Sequence, residues 1–495
     1  MPDEISQRKL DHLDLCAEED VEYRGKTTLL DDVELLHDSL PELDFDAIDT
    51  TTTLFGRALA APLLITGMTG GAERARDINR DLAAVAQELG LAFGVGSQRA
   101  MLRDPSLVST YQIRDIAPDI LLFGNIGVVQ AAEMSTAEAV DLVGAIGADA
   151  LCVHLNPGQE MIQPEGDRDF RGALDALARL CEELDVPVIA KETGCGISAR
   201  TAAKLIRAGL AWVDVSGAGG TTWVGVETLR SAPHERTVGE VFWDWGVPTA
   251  ASVVLARRAG LNVIGSGGLR DGLDAAKAIA LGASLAGMAL PWLRAAHEGG
   301  VPQALAFGRT TIRTLRTAML LTDSADLAAL RSAPRVTGAR LRGCSKRSSQ
   351  SQRVCALVQA REKLSHCSVS GSFQGPKMIS GSDLNAVMII QRNGKITIAA
   401  RNVDVIRTED GKLKPGGYVV VSVTDSGPGI PDEHRARRDE PLAGVRGKTL
   451  VVRLQRVLEG RPVDLHRVGA VPEPAGEDHG DQPQDEGNNE NSKGK

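Results

Sequence analysis

Eight times between residues 63 and 288 the chain repeats one unit. An apolar run of four to six residues is followed by a glycine-rich or polar loop and then a helical stretch. The runs are Leu63–Thr66, Leu91–Val95, Ile120–Phe123, Ala150–His154, Val188–Lys191, Trp212–Val215, Asn262–Gly265 and Ser284–Met288. Amphipathic segments such as Ile78–Leu89, Thr136–Ile146, Ala173–Leu184, Ala199–Ala208 and Leu273–Leu281 lie between them. An apolar run without alternation is a strand buried on both faces, and such strands alternating with helices imply a parallel sheet. Eight units over about 240 residues match a closed (β/α)8 barrel of the TIM type. An open doubly wound sheet is the alternative, but it rarely needs eight such units in a row. The expected fold class is therefore α/β, with a barrel over 56–342 and an N-terminal arm over 1–55.

A barrel of this kind places its chemistry at the carboxyl ends of its strands. The stretch Asp149–Glu160 shows the pattern: Ala150–Val153 is a strand, and His154, Asn156, Gln159 and Glu160 follow at once. A polar turn with a helix N-cap would read the same in isolation. Every other strand also ends in a distinctive group. These are Thr66-Gly67-Met68-Thr69, Ser97-Gln98-Arg99, Gly124-Asn125, Lys191-Glu192-Thr193, Ser216 to Thr222, Ser266 to Arg270, and Ala286-Gly287-Met288. Eight polar ends on one rim are hard to explain as turns.

The sixth and seventh loops, G-A-G-G-T-T and S-G-G-L-R-D-G, are glycine-rich turns leading into helices. Glycines let backbone N–H groups close on an anion, and loops seven and eight of such barrels commonly hold a phosphate. Lys191 ends an apolar strand, where a lysine is costly unless paired. Flavin mononucleotide meets both demands. Its phosphate would sit at Gly267, Gly268, Ala286 and Gly287, with Leu269 among the cofactor-binding residues, and Lys191 would lie beside the ring, where a cation stabilises the anionic reduced form. Thr66, Gly67, Met68, Thr69, Ser97, Asn125, Ser216 and Thr221 complete the expected cofactor set.

Composition removes other classes. The net charge of -10 disfavours nonspecific nucleic-acid binding. No apolar run is long enough for a membrane span, and the N-terminus lacks a signal-peptide core. The 7 cysteines are scattered without a C-x-x-C pair, which fits reduced thiols in a cytoplasm.

Residues 5 to about 342 resemble the type 2 isopentenyl-diphosphate isomerases, FMN-dependent barrel enzymes. The motifs are R-K-L-D-H (8–12), M-T-G-G (68–71), G-S-Q-R (96–99), F-G-N-I-G (123–127), H-L-N-P-G-Q-E (154–160), Q-P-E-G-D-R-D-F (163–170), K-E-T-G-C-G-I-S (191–198), D-V-S-G-A-G-G-T-T-W (214–223) and S-G-G-L-R (266–270). The resemblance implies interconversion of isopentenyl and dimethylallyl diphosphate by a 1,3-allylic proton shift. FMN would be reduced by NADPH, and Mg²⁺ would sit on the diphosphate. It further implies Glu160 as the magnesium-binding carboxylate and Gln159 beside the alkene, assisting proton movement, with His154 as a catalytic group. Arg8, Lys9, Ser97, Gln98, Arg99, His154, Asn156 and Gln159 would handle the substrate. The N-terminal arm, otherwise a solvated polar segment, must then fold over the barrel mouth. A homo-oligomer, tetramer or octamer, is also implied. The rival readings are another FMN-dependent barrel oxidoreductase and a signalling module in which the barrel regulates a nucleotide-binding tail.

Past Arg342 the composition changes. Residues 343–382 read as a Ser- and Arg-rich linker. Gly394–Val403 and Tyr418–Asp425 alternate like strands, and the second runs into Asp425-Ser426-Gly427-Pro428-Gly429. Residues 383–437 resemble part of the ATP-binding domain of sensor histidine kinases, with Asn385 near the magnesium-binding asparagine. The acidic partner and the second glycine-rich lid are absent, so this small α+β fragment is expected to be inactive. Residues 438–495 read as a low-complexity acidic tail, disordered at its end.

Overall fold

The computed structural model describes residues 4–344 and, beyond them, the backbone of four strands at 389–391, 394–405, 416–425 and 448–453. The chain divides into two units, Met1–Cys355 and Ala356–Lys495. Each is described by itself.

Eight parallel strands form the first unit's barrel: Leu63–Ile65, Ala92–Gly94, Leu122–Gly127, Ala150–Leu155, Val188–Glu192, Trp212–Asp214, Asn262–Ser266 and Leu285–Met288. They are called strands one to eight below. Each falls on an expected apolar run. The sheet closes where strand eight pairs with strand one, Met288 opposite Ile65, which removes the open-sheet alternative. Alternate side chains separate two apolar layers. Leu64, Ala92, Phe123, Cys152, Ile189 and Ile264 fill the barrel. Leu63, Ile65, Phe93, Leu151, Val213 and Val263 pack outward among the helices. Each fully buried aliphatic or Phe side chain contributes roughly 1.5–3 kcal/mol. The hairpin Thr52–Leu54/Arg57–Leu59 plugs the amino end. Its two-residue turn places Phe55 (φ 49) and Gly56 (φ 77) in left-handed backbone. Phe55 then stands edge-on to Trp212 at 5.0 Å and to Phe123 at 6.2 Å.

The arm folds onto the opposite end. Residues Glu4–Glu18 form a helix whose Leu13 and Cys16, together with Val21 beyond it, are buried against Ala72, Ala75, Val226, Leu290 and Leu293. After the helix the chain hydrogen-bonds loop six on both sides: Thr222 N donates to Val21 O at 2.8 Å and Tyr23 N to Gly220 O at 2.9 Å. Farther on, Val33–Leu35 pairs antiparallel with Arg335–Thr337, joining the two ends of this unit. No helix among the described residues is long and apolar enough to cross a membrane.

In the second unit the four strands form an antiparallel sheet in chain order. The two expected strands run Gly394–Val405 and Gly416–Asp425. The strand Lys448–Arg453 falls inside the stretch expected as a low-complexity tail, because its run T-L-V-V pairs with Gly416–Asp425; Asn385, the glycines after Asp425, most of the linker and the rest of that tail lie outside the described residues.

Candidate active site

The carboxyl ends of the strands and the arm helix enclose a mouth with about 1470 Å³ of free space, its solvent-facing part included. Almost every expected residue lines it: Arg8, Lys9, Thr66, Gly67, Met68, Thr69, Ser97, Arg99, Asn125, His154, Asn156, Gln159, Glu160, Lys191, Ser216, Thr221, Gly267, Gly268, Leu269 and Gly287. Gln98 and Ala286 do not. Ala286 is buried within strand eight. Gln98 is fully buried, donates to Leu142 O at 3.0 Å and accepts from Asn125 N at 2.8 Å, so it braces strand three from behind.

Two groups of residues divide the mouth. On one side stand Arg8, Lys9 and Arg99. Burial and the neighbouring Arg8 push the Lys9 ammonium down to about 8. Arg99 is held by Asp167 at 3.2 Å, and Asp167 also accepts from Gln130 at 2.8 Å. His154 belongs to this cationic side. Its Nδ1 meets Asn125 Oδ1 at 2.8 Å, and the Asn125 amide nitrogen donates to Val95 O at 3.1 Å. Nδ1 therefore carries the proton and Nε2 is a bare acceptor. Burial, then the charges of Lys9, Lys191 and Arg99, push the imidazole down to about 3, so it is neutral.

On the other side lie the ends of strands one, five, six, seven and eight. Lys191, expected to answer a bound negative group, already has a protein partner. Its Nζ is 2.8 Å from the buried Asp214 carboxylate, which also accepts from Ser266 Oγ and from Ser216 N at 3.3 Å. The glycines of loops six and seven also have a different first use. A Cβ on Gly267 (φ +97) would come 2.2 Å from Gly217 N. On Gly268 (φ +77) it would reach Thr28 Cγ2 at 2.5 Å and Gly219 O at 2.9 Å. The glycines let the two loops and the arm interlock, and this packing forms the floor of the mouth. The Thr69 hydroxyl, which lines the same mouth, is buried and has no hydrogen-bond partner among the described residues. An orphaned buried donor-acceptor beside a glycine-built floor fits a polar, partly planar ligand such as a flavin.

Between the two sides, the helix Pro157–Ile162 carries Gln159 and Glu160. Glu160 is 7% exposed, and its two oxygens accept from Asn156 Nδ2 and Asp167 N, each at 2.7 Å. No cluster of three His, Cys, Asp or Glu side chains suited to a metal exists among the described residues. The donor set therefore fits a hard cation only in company with substrate oxygens, which is how Mg²⁺ usually binds.

Sequence reasoning missed Glu227. It sits on the helix Trp223–Arg230, is fully buried, and accepts from Gln159 Nε2 at 3.0 Å, His12 at 2.9 Å and Arg230 at 2.6 Å. Gln163, with its amide oriented to satisfy both ends, adds a donor to Glu227 at 3.1 Å and accepts from Arg8 at 2.7 Å. Burial alone would raise the Glu227 carboxyl; the bond from His12 and the other donors outweigh it and hold it down to about 2. The available signal was a lone glutamate in the otherwise apolar turn V-G-V-E-T.

A closed parallel barrel with a polar mouth at the carboxyl ends of its strands is the frame of a (β/α)8-barrel enzyme, and its residues 153–334 match the family profile described as FMN-dependent dehydrogenase. Whole-protein likeness is narrower. The isopentenyl-diphosphate delta-isomerase of Synechococcus sp. is 51% identical over 332 residues, covering 66% of this chain and 95% of its own. That of Methanothermobacter thermautotrophicus is 47% identical over 332 residues (67% and 93%), and that of Methanosarcina acetivorans 45% over 336 (66% and 91%). The chain belongs to the isopentenyl-diphosphate delta-isomerase family, and it is an isomerase.

Proposed function

We propose that this chain interconverts isopentenyl and dimethylallyl diphosphate with reduced FMN and Mg²⁺, NADPH serving as reductant. The carrying observation is the placement of the Gln159 amide, anchored by Glu227, between a cationic pocket and the glycine-built floor. The reaction adds a proton at one end of an allylic unit and removes one at the other, with no net redox change. Bound on that floor, Thr66 to Thr69, Ser97, Asn125, Lys191, Ser216, Thr221 and Gly267 to Leu269 would surround FMN, whose reduced ring supplies an electron-rich group able to exchange a proton. Arg8, Lys9 and Arg99 fix the diphosphate. Glu160 would hold Mg²⁺ in company with the diphosphate, and a divalent cation there would turn the repulsion of two anions into attraction. An arriving polyanion offsets the cationic field on His154, the smaller of the causes that keep it neutral, and so raises its proton affinity. Gln159, with its nitrogen tied to Glu227, offers its carbonyl oxygen to the reacting carbons and steadies the transferred proton.

The test uses the purified full chain with FMN under anaerobic conditions. Product should form after reduction by NADPH and only with Mg²⁺. Glu160→Gln should keep its flavin content, lose its magnesium response and bind substrate at least about tenfold more weakly. Turnover with oxidised flavin alone, or flavin bleaching by a 2-hydroxy acid, would favour an oxidoreductase of the same fold.

A further inference from the structure

His12 belongs to the R-K-L-D-H motif yet has no part in the functional reading so far. We infer that His12 is a positioning residue: from the N-terminal helix, acting through Glu227, it fixes which face of the Gln159 amide meets the substrate.

The geometry carries this. Gln159 has few restraints. Its Nε2 is tied to Glu227 Oε1 at 3.0 Å, while its Oε1 has only a long contact of 3.5 Å from Asn156. The amide's orientation therefore depends on where Glu227 Oε1 stands. Oε1 is also the atom that His12 Nε2 reaches at 2.9 Å. An ionised carboxylate only accepts, so His12 presents Nε2–H and the neutral ring has its lone pair on Nδ1. Trp223 packs against the imidazole at 5.0 Å and 74°, which sets the ring plane. Glu227 Oε2 is held separately by Arg230. The two oxygens thus have separate restraints, and the one facing Gln159 is set from the arm. Removing the His12 donor leaves Oε1 with the amides of Gln159 and Gln163, both of which can rotate. A flipped Gln159 would show the substrate a donor where an acceptor is needed.

The inference rests on the isomerase reading, and the experiment separates the two. His12→Phe keeps the aromatic contact with Trp223 and removes the donor; His12→Gln keeps a donor of similar reach. Steady-state kinetics with reduced FMN should show kcat lowered about 10- to 100-fold in the Phe variant, with KM and flavin content unchanged, and recovery to within about threefold of wild type in the Gln variant. In the wild-type protein, ¹⁵N NMR of the His12 ring at neutral pH should report the Nε2–H tautomer. Wild-type kcat in His12→Phe, a change confined to KM, no recovery in His12→Gln, or an Nδ1–H tautomer would each overturn the inference, and the last needs no variant to fold. Gln159→Leu is the control. If it retains wild-type kcat, the isomerase reading of this site fails; if it is inactive while His12→Phe is normal, only the role of His12 fails.

Discussion

Lys191 shows how one side chain can be read correctly in place and incompletely in company. The strand-ending lysine does face the mouth, but its charge is already matched by Asp214, 23 residues later in the chain. Long-range pairing of this kind leaves no trace in local sequence, because an aspartate at a strand end looks alike whether it meets a ligand or a neighbour. The pair is nearly buried, with side-chain exposures of 9% and 1%. Breaking such a pair strands a charge, so Lys191→Met should cost about 3–5 kcal/mol, measured by urea denaturation without flavin. Adding Asp214→Asn should return much of that loss. An undiminished midpoint in Lys191→Met would mean that Asp214 is served by other donors. Glu227 was illegible for a related reason. A glutamate within a helix ordinarily lies on a solvated face, and only the arrival of His12 from the far end of the chain makes it a buried acceptor.

At the level of elements, the barrel strands were legible because burial on both faces writes itself into the sequence as unbroken apolar runs. The arm helix Glu4–Glu18 was not. Its buried side consists of little more than Leu13 and Cys16, a stripe too thin to stand out among charged neighbours. Its docking nonetheless delivers Arg8, Lys9 and His12 to the mouth together. Leu13→Ala should loosen it, at a local cost of about 2–5 kcal/mol. The expected result is a raised KM for the diphosphate and a lowered kcat together, with FMN content unchanged and faster amide exchange confined to residues 4–22. Normal kinetics with fast exchange would show that the arm need not be docked for turnover.

On the scale of the whole chain, every residue of the proposed site lies in the first unit. That unit extends past the Arg342 boundary read from composition. Leu341 is 2% exposed, its N–H donates to Asp32 at 3.1 Å, and Cys344 packs on the main core. A chain ending at Cys355 should retain flavin binding and isomerisation within about twofold, whereas one cut before Arg335 loses the strand that clasps Val33–Leu35 and about 1 kcal/mol or more per lost backbone hydrogen bond left buried. Loss of both activities in the 1–355 chain, still folded by circular dichroism, would give the second unit a role in the site. The arm's partners have another consequence, one of time. Glu4–Glu18 leaves the ribosome well ahead of its partners: Val226, Leu290 and Leu293 follow only after roughly 200 residues or more. At about 5–20 residues per second, the helix waits on the order of ten seconds or longer for its seat. The helix is thus made long before its seat, and it can dock only once the last barrel strand and the helix after it have emerged.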